Sequence, residues 1–119
     1  MTEELMNYLL LNETDVHGAI ERLGGDEDVY LHILAQFPKD DTMAQLDTAL
    51  SCQSWDAAFT AAHALKGLAG NLGFTPLFHS LGELVILIRA GRIKEIDAAF
   101  GSVKKLYDSI VEVINAYCK

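Results

Sequence analysis

The spacing of apolar residues is the feature that most constrains how this chain folds. From one end of the sequence to the other, these residues recur at steps of three or four, which is the period of an amphipathic α-helix. No segment alternates apolar and polar residues for long enough to predict a β-strand, and the chain contains only two prolines. The pattern therefore predicts an all-α protein whose core is formed by the apolar faces of its helices.

Three short helices are expected in the first third of the chain. The first spans residues 2–11, and the second begins at Asp15 and stops at the Gly24-Gly25 pair. The third begins after Asp26, which is a suitable N-cap. Pro38 would normally end this third helix, but the apolar pattern resumes soon after it. Both a kinked helix and two stacked pieces are consistent with that pattern.

Three longer helices are expected in the remainder. One has Ser54 as its N-cap and ends near Gly73. The next restarts at Thr75-Pro76, read as a cap followed by proline at the first helical position, and stops at Gly91. Its buried residues are expected to be Leu77, Leu81, Leu84 and Ile88. The final helix carries apolar residues at steps of three or four, namely Ile93, Ile96, Phe100, Val103, Leu106, Ile110, Val113 and Tyr117.

The expected architecture is an antiparallel four-helix bundle with additional short helices at the N-terminus. Residues 1–119 are enough for one domain with a real core but not for two. Half of the residues are apolar (50%), a composition that suits a compact fold and excludes intrinsic disorder. We therefore expect a single domain over residues 1–119.

Charge and hydropathy exclude several classes of partner. The net charge of −8 argues against nucleic acid and against an anionic membrane, because both attract basic surfaces. The longest apolar run, residues 84–88, is too short to span a bilayer, and residues 1–12 show no secretory signal pattern. Cys52 and Cys118 lack a paired spacing, so free thiols in a reducing compartment are expected. These features indicate a cytoplasmic protein.

The helix expected between Ser54 and Gly73 carries a histidine on its polar side. At about 100° per residue, Leu65, Leu68 and Leu72 fall on one face together with Ala61. His63 lies nearly opposite that face, so the leucines turn its imidazole towards solvent. Its neighbours on the exposed side are Thr60, Gly67 and Gly70, with Phe59 and Lys66 flanking them.

Two glycines in this helix require an explanation. A glycine inside a helix costs roughly 0.5–1 kcal/mol relative to alanine, so Gly67 and Gly70 together cost on the order of 1–2 kcal/mol. Close contact between helices would place such glycines on a buried face. A partner that must approach the imidazole would instead place them on the exposed face, beside His63. Their angular position favours the second explanation, and predicts open space next to both.

The residues around His63 suit phosphoryl transfer. A solvated histidine is partly neutral near pH 7 and offers a ring nitrogen lone pair to an electrophile. Phosphoryl transfer depends chiefly on positioning and on charge stabilisation. Lys66 follows His63 by one helical turn, where an ammonium would offset charge on phosphoryl oxygens. Most exposed histidines are ordinary surface residues; the His-x-x-Lys-Gly pattern is what distinguishes this one.

The motif resembles that of a known family. His63-Ala64-Leu65-Lys66-Gly67, continued by Asn71-Leu72-Gly73-Phe74, closely resembles the signature of histidine-containing phosphotransfer (Hpt) domains. The resemblance extends over most of the chain. Residues 15–37, with Arg22-Leu23-Gly24-Gly25-Asp26 and Tyr30-Leu31, are similar to the usual start of such a domain, and Trp55-Asp56 resembles the start of its phosphohistidine helix.

The resemblance implies a phosphorelay intermediate of two-component signalling. His63 would accept a phosphoryl group from a phosphoaspartate of one receiver domain and pass it reversibly to an aspartate of another. Lys66 would assist the phosphoryl group, and Gly67 would clear space for the docking receiver. The surrounding contacts with the partner are expected at Phe59, Thr60, Gly70 and Asn71.

The same resemblance implies which partners and cofactors to expect. Response-regulator receiver domains and a hybrid sensor histidine kinase would be the partners. The receiver supplies Mg²⁺ and carboxylates, so the chain needs no cofactor of its own. A metal site is not expected either, since His17, His32 and His79 lie on different helices without metal-ligand spacing.

Two alternatives remain open. One is the phosphoacceptor domain of a chemotaxis-type histidine kinase, which shares the His-x-x-Lys-Gly helix. The lack of a Gly-rich ATP-binding pattern favours a relay protein over a kinase, while Arg22 to Asp26 and the lack of a long C-terminal extension favour a stand-alone relay. The other alternative is a helical adaptor that binds receivers without being phosphorylated. The presence of both His63 and Lys66 argues against it.

The following helix departs from the family pattern. Many Hpt sequences carry an acidic residue soon after the leucine, where this chain has Leu84-Val85, with Glu83 before the leucine instead. Ile86 falls opposite the buried positions of this helix, so we expect it to be exposed. Our hypothesis is that Ile86, together with Leu87, belongs to an apolar docking or dimerisation surface. An isolated surface isoleucine is an equally good interpretation.

Overall fold

The computed structural model describes residues 1–118 and consists, over that range, of helices joined by short turns. A 3₁₀ turn at Phe37–Lys39 and one isolated bridge between Thr14 and Phe74 are the remaining regular features of those residues. The predicted all-α class is confirmed. The helices are α1 (Glu3–Leu11), α2 (Val16–Arg22), α3 (Glu27–Gln36), α4 (Thr42–Ser51), α5 (Trp55–Leu72), α6 (Thr75–Ala90) and α7 (Ile93–Tyr117).

Helices α4 to α7 form the predicted antiparallel four-helix bundle. Turns of two or three residues join consecutive helices, which makes sequence neighbours antiparallel neighbours in space. Helix α5 packs against both α4 and α6, and α7 packs against α6. The N-terminal helices complete the structure, because α1 packs on α7, α2 on α5, and α3 on both α5 and α7. No helix within residues 1–118 is long and apolar enough to cross a membrane.

Side-chain N-caps stand where the first three helices begin, and the predicted N-cap Asp26 is one of them. Thr2, Asp15 and Asp26 each accept a backbone N–H of the helix that follows. Ser54 directly precedes α5, as predicted, but its side chain accepts no hydrogen bond from that helix. The boundaries of the short helices therefore follow from local side-chain chemistry.

The region around Pro38 consists of two pieces, not one kinked helix. Helix α3 ends at Gln36, the 3₁₀ turn follows, and α4 begins at Thr42. Pro38 lies inside the 3₁₀ turn, where its missing N–H costs no α-helical hydrogen bond. This resolves the two possibilities that the apolar pattern allowed.

The prediction that Thr75 caps α6 is wrong by one residue. Phe74 is the N-cap, Thr75 is the first helical residue, and Pro76 follows it. Gly73 adopts a left-handed φ of 81° and completes the reversal of the chain early, so helical backbone begins directly after Phe74. The Thr75 hydroxyl donates to the Gly73 carbonyl at 3.3 Å and does not accept a bond from α6.

The core consists of the apolar faces of the helices. All four predicted core residues of α6, including Leu77 and Ile88, are buried. Leu68 of α5 is only half-buried. The prediction that Ile93 belongs to the apolar face of α7 is wrong, because its side chain is 53% exposed. It is the first residue of α7, and burial along this helix begins one turn later, at Ile96.

The N-terminal helices hold the C-terminal end of α5. Arg22 of α2 donates through Nη2 to the Gly70 carbonyl at 2.7 Å, and the Tyr30 hydroxyl of α3 donates to the Leu72 carbonyl at 3.0 Å. The last carbonyls of a helix lack intrahelical partners, so these bonds stabilise the helix end. Burial raises the pKa of the Tyr30 phenol well above its ordinary value, which keeps the hydroxyl a donor.

Candidate functional site

Helix α5 places His63 on the exposed side of the bundle. Ala61, Leu65 and Leu72 are buried, as predicted, and Ala62 immediately before the histidine is buried as well. The imidazole itself is exposed. The prediction that the apolar face of α5 turns His63 towards solvent is therefore confirmed.

The phenyl ring of Phe59 lies beside the imidazole. The two ring centroids are 6.1 Å apart, and the rings are parallel to within 2°. Phe59 precedes His63 by one helical turn, the spacing at which side chains of one helix meet. Phe59 is half-buried and packs against the core, so it gives the exposed imidazole a fixed, flat neighbour.

Lys66 extends across the groove between α5 and α6. Its Nζ lies over the Phe78 ring, 5.1 Å from the ring centroid, and its Cε would be 3.6 Å from a Cβ built on Gly82. Within residues 1–118 Lys66 forms no ion pair with a carboxylate. The ammonium therefore remains available to an anion near His63, one helical turn away.

The two glycines of α5 differ in their surroundings. A Cβ built on Gly67 meets no atom within 4 Å, so the predicted open space is confirmed there. A Cβ built on Gly70 would lie 3.1 Å from two ring carbons of Phe78, so the prediction of open space is wrong at this position. Gly70 lies two residues before the end of α5, and the Phe78 ring of α6 occupies the space beside it. Close helix contact accounts for Gly70 but not for Gly67.

The other predicted contact residues lie on the same exposed side. Thr60 is exposed, and its hydroxyl donates to the Asp56 carbonyl one turn earlier, at 3.1 Å. Asn71 is also exposed, about 12 Å further along the helix axis than His63. The structure thus places Phe59 beside the imidazole, Thr60 and Gly67 about one helical turn from His63, and Asn71 at the end of the helix.

Sequence reasoning missed Arg89 of α6. Its guanidinium carbon lies over the Phe59 ring, 4.9 Å from the centroid. Arg89 and Phe59 also line an open groove of about 340 Å³, together with Trp55, Asp56 and Ile88, and Phe59 joins this groove to His63 one helical turn away. A signal existed in the sequence, since α5 and α6 form a hairpin whose turn is centred on Phe74. Residues equally distant from that turn face each other, and Phe59 and Arg89 are such a pair.

The same register places Val85 across from His63, and Ile86 follows it on α6. This assignment follows from two observed pairs, because Lys66 faces Gly82 and Phe59 faces Arg89. Ile86 is 67% exposed, which confirms the predicted exposure. Its proposed companion Leu87 is half-buried and packs against the core.

An exposed imidazole therefore lies on a face of α5 and α6 that also bears two cations, Lys66 and Arg89. Within the described residues 1–118, no three His, Cys, Asp or Glu side chains gather where they could hold a metal ion. A family model for the Hpt domain matches residues 39–113, which is more than half of the chain and includes the whole face around His63. The chain belongs to the Hpt family. Hpt domains carry out histidine phosphotransfer in two-component signalling, and they interact with receiver domains and kinases.

The Hpt match leaves the first three helices outside its range. It begins at Lys39, within the 3₁₀ turn, so the resemblance noted for residues 15–37 stays a prediction. Searches of curated proteins and of solved structures found no match to this Hpt domain. Its assignment therefore rests on the family model together with the helical bundle and the exposed histidine that it contains.

Proposed function

We propose that this Hpt domain is a phosphorelay intermediate that carries a phosphoryl group on His63 between aspartates of receiver domains. One observation carries the proposal: an exposed imidazole on α5 has open space beside Gly67, and Lys66, one turn away, forms no ion pair with a carboxylate of residues 1–118. All three residues lie within the range that the family model matches.

The transfer step follows from this arrangement. An unprotonated ring nitrogen of His63 attacks the phosphorus of a receiver phosphoaspartate. The N–P bond forms while the acyl O–P bond breaks, and the aspartate leaves as a carboxylate. The second receiver reverses these bonds with its own aspartate as nucleophile. Lys66 offsets the charge that the phosphoryl oxygens carry through this loose transition state.

Gly67 provides clearance for the docking receiver. It follows His63 by four residues, about 6 Å along the helix axis, and any side chain there would project towards an approaching surface. Phe59, Thr60 and Asn71 would complete the contact surface. Gly70 would enter it through its backbone, because Phe78 occupies the space beside its Cα.

The receiver would provide the rest of the chemistry. In this proposal the Mg²⁺ ion and the carboxylates that surround the reacting aspartate belong to the receiver. A hybrid sensor histidine kinase would be the source of the phosphoryl group. The chain described here would contribute the nucleophile, one flanking charge and the docking surface.

We also propose that residues 1–38 belong to the same domain as the matched region. Two hydrogen bonds support this extent: Arg22 to the Gly70 carbonyl and Tyr30 to the Leu72 carbonyl. Both join an N-terminal helix to the end of the histidine helix. The domain would then span residues 1–119.

Transfer experiments separate this function from its alternatives. The protein is mixed with receiver domains carrying ³²P-phosphoaspartate, and separately with ATP and the catalytic domain of a chemotaxis-type kinase. A relay intermediate takes label from a receiver and passes it to a second receiver. Label only from the kinase catalytic domain would favour the chemotaxis-type alternative. Receiver binding without any label on the protein would favour the adaptor.

A further inference from the structure

Two cations lie on the α5/α6 face with His63, and each lies over an aromatic ring. Lys66 is held over Phe78 and Arg89 over Phe59. Within residues 1–118 neither forms an ion pair, and the pairs present there involve the N-terminal amine, Arg22, Arg92 and Lys104. The chain has 17 acidic and 9 basic side chains, so unpaired cations on one face are not a consequence of composition.

The Arg89 guanidinium is suited to bind both oxygens of a carboxylate at the same time. A guanidinium presents a planar fork of N–H donors that matches a carboxylate, and stacking on a ring limits the rotamer freedom it loses on binding. The Phe59 ring stacks under this guanidinium and also lies parallel to the His63 imidazole. Asp56 lines the same groove but forms no ion pair with Arg89.

The position of Arg89 indicates that it binds a group on the partner protein and not the phosphoryl group on His63. Arg89 packs on Phe59, whose backbone lies about 6 Å from that of His63 along the axis of α5. The backbone of Lys66 lies about 4.5 Å from that of His63 in the opposite direction along this axis. The structure shows the guanidinium on the Phe59 ring, not on the imidazole. A receiver docked over His63 would extend across both positions, because both lie on the α5/α6 face.

We propose that Arg89 is a specificity-determining residue whose guanidinium binds a carboxylate side chain on the receiver surface, next to the reacting aspartate. The inference rests on the proposed function and deepens it. The Phe59 ring holds the guanidinium, and the resulting ion pair orients the receiver so that its aspartate meets His63. Lys66 offsets the charge of the transferred phosphoryl group, and Arg89 determines which receiver binds.

The test compares Arg89→Gln with Lys105→Gln, which removes the same charge from an exposed position on α7. Phosphotransfer from a receiver that labels the wild-type protein is measured as a function of receiver concentration. Loss of a charge-assisted pair predicts a half-saturating concentration that is higher by about ten-fold, with an unchanged rate at saturation. Arg89→Lys keeps the charge without the fork and should lie between. Lys105→Gln should match the wild type.

A second arm separates the partner from the phosphoryl group. Phosphoramidate, a small phosphodonor, labels histidine without any receiver, so Arg89→Gln should accept this label at the wild-type rate. Equal losses with phosphoramidate and with saturating receiver would overturn the proposal in favour of phosphoryl contact. An unchanged half-saturating concentration would overturn it outright. Failure of the proposed function would look different, since wild-type His63 would then take no label from any receiver.

Charge reversal gives the strongest evidence. Arg89→Glu should abolish transfer at receiver concentrations that saturate the wild type. Changing the complementary receiver carboxylate to lysine should restore it, while the same receiver variant should work poorly with the wild-type protein. If no acidic position on the receiver surface gives this rescue, the proposed ion pair is wrong.

Discussion

The ring of Phe59 lies parallel to the imidazole of His63, with 6.1 Å between the ring centroids and 2° between the planes. Phe59 also packs against the core and carries the Arg89 guanidinium. One aromatic side chain therefore links the exposed nucleophile of α5 to a cation of α6. We therefore expect the half-buried Phe59 to influence the proposed chemistry of His63.

Replacing Phe59 tests the link. Phe59→Ala should reduce phosphotransfer from a receiver, because both the imidazole and the guanidinium lose their neighbour. The free energy of unfolding should fall by about 1–3 kcal/mol, less than for a fully buried phenylalanine. Transfer assays and urea unfolding measure the two effects. Phe59→Tyr keeps the ring and should behave like the wild type; Phe59→Ala with full transfer would disprove the link.

Alanine substitutions should distinguish the two glycines of α5. Gly67→Ala fills open space and gains helix propensity, so it should stabilise the protein by about 0.5–1 kcal/mol. Gly70→Ala gains the same propensity but forces the Phe78 ring to move, so its net gain should be smaller or negative. Urea unfolding measures both variants. Equal stabilisation would contradict the difference in packing.

A larger side chain at Gly67 tests clearance. Gly67→Gln should keep the helical fold, since no neighbouring atom opposes the side chain, yet slow transfer from a receiver at least ten-fold. Circular dichroism and the transfer assay check the two expectations. Phosphoramidate labelling of His63 should remain, because that small donor needs no room for a protein surface. Wild-type transfer in this variant would remove the clearance argument.

The exposed isoleucines of α6 and α7 provide a matched pair. Ile86 is 67% exposed on α6, the helix that packs against the histidine helix on one side, whereas Ile93 is 53% exposed at the start of α7. If Ile86 belongs to a docking surface, Ile86→Glu should weaken receiver binding or self-association, and Ile93→Glu should change neither. Calorimetric titration with a receiver and sedimentation of the free protein measure these effects. Two indistinguishable variants would identify Ile86 as an isolated surface residue.

The buried Tyr30 predicts a loss of stability at alkaline pH. Burial raises its pKa above the ordinary value of 10.0, so the folded state keeps the phenolic proton at a pH where the unfolded chain has lost it. The contribution is fully present below pH 10 and declines as the pH rises through the folded-state pKa. Each retained proton corresponds to about 1.4 kcal/mol per pH unit.

Urea unfolding between pH 9 and 11.5 measures this slope. Tyr30→Phe should flatten it and, below pH 10, should cost about 1 kcal/mol through the lost hydrogen bond to Leu72. Tyr107→Phe is the comparison, because burial raises the pKa of Tyr107 too but leaves that side chain partly exposed. A slope that Tyr30→Phe leaves unchanged would show that another group controls alkaline unfolding.

Local chemistry made much of the fold predictable. The apolar period of three to four residues and the N-caps Thr2, Asp15 and Asp26 define where the helices lie, because both act within a few residues. The same period gave the exposure of His63 and Ile86. These properties depend on one helix at a time.

Relations between helices were less accessible. The Phe78 ring beside Gly70 depends on how closely α5 and α6 approach, which neither helix determines alone. Arg89 meets Phe59 only once the register of the hairpin is known. The bond from Arg22 to the Gly70 carbonyl joins residues 48 positions apart, and no periodic pattern reports such a contact. The missed features are therefore those created by packing.

The central claim is that His63 carries the phosphoryl group. Its most direct measurement is to incubate the protein with a ³²P-labelled receiver and to map the label after proteolysis. The account predicts label that is acid-labile and base-stable, on the peptide containing His63, with none on His63→Gln. Equal labelling of His63→Gln, or label on a peptide without His63, would contradict it.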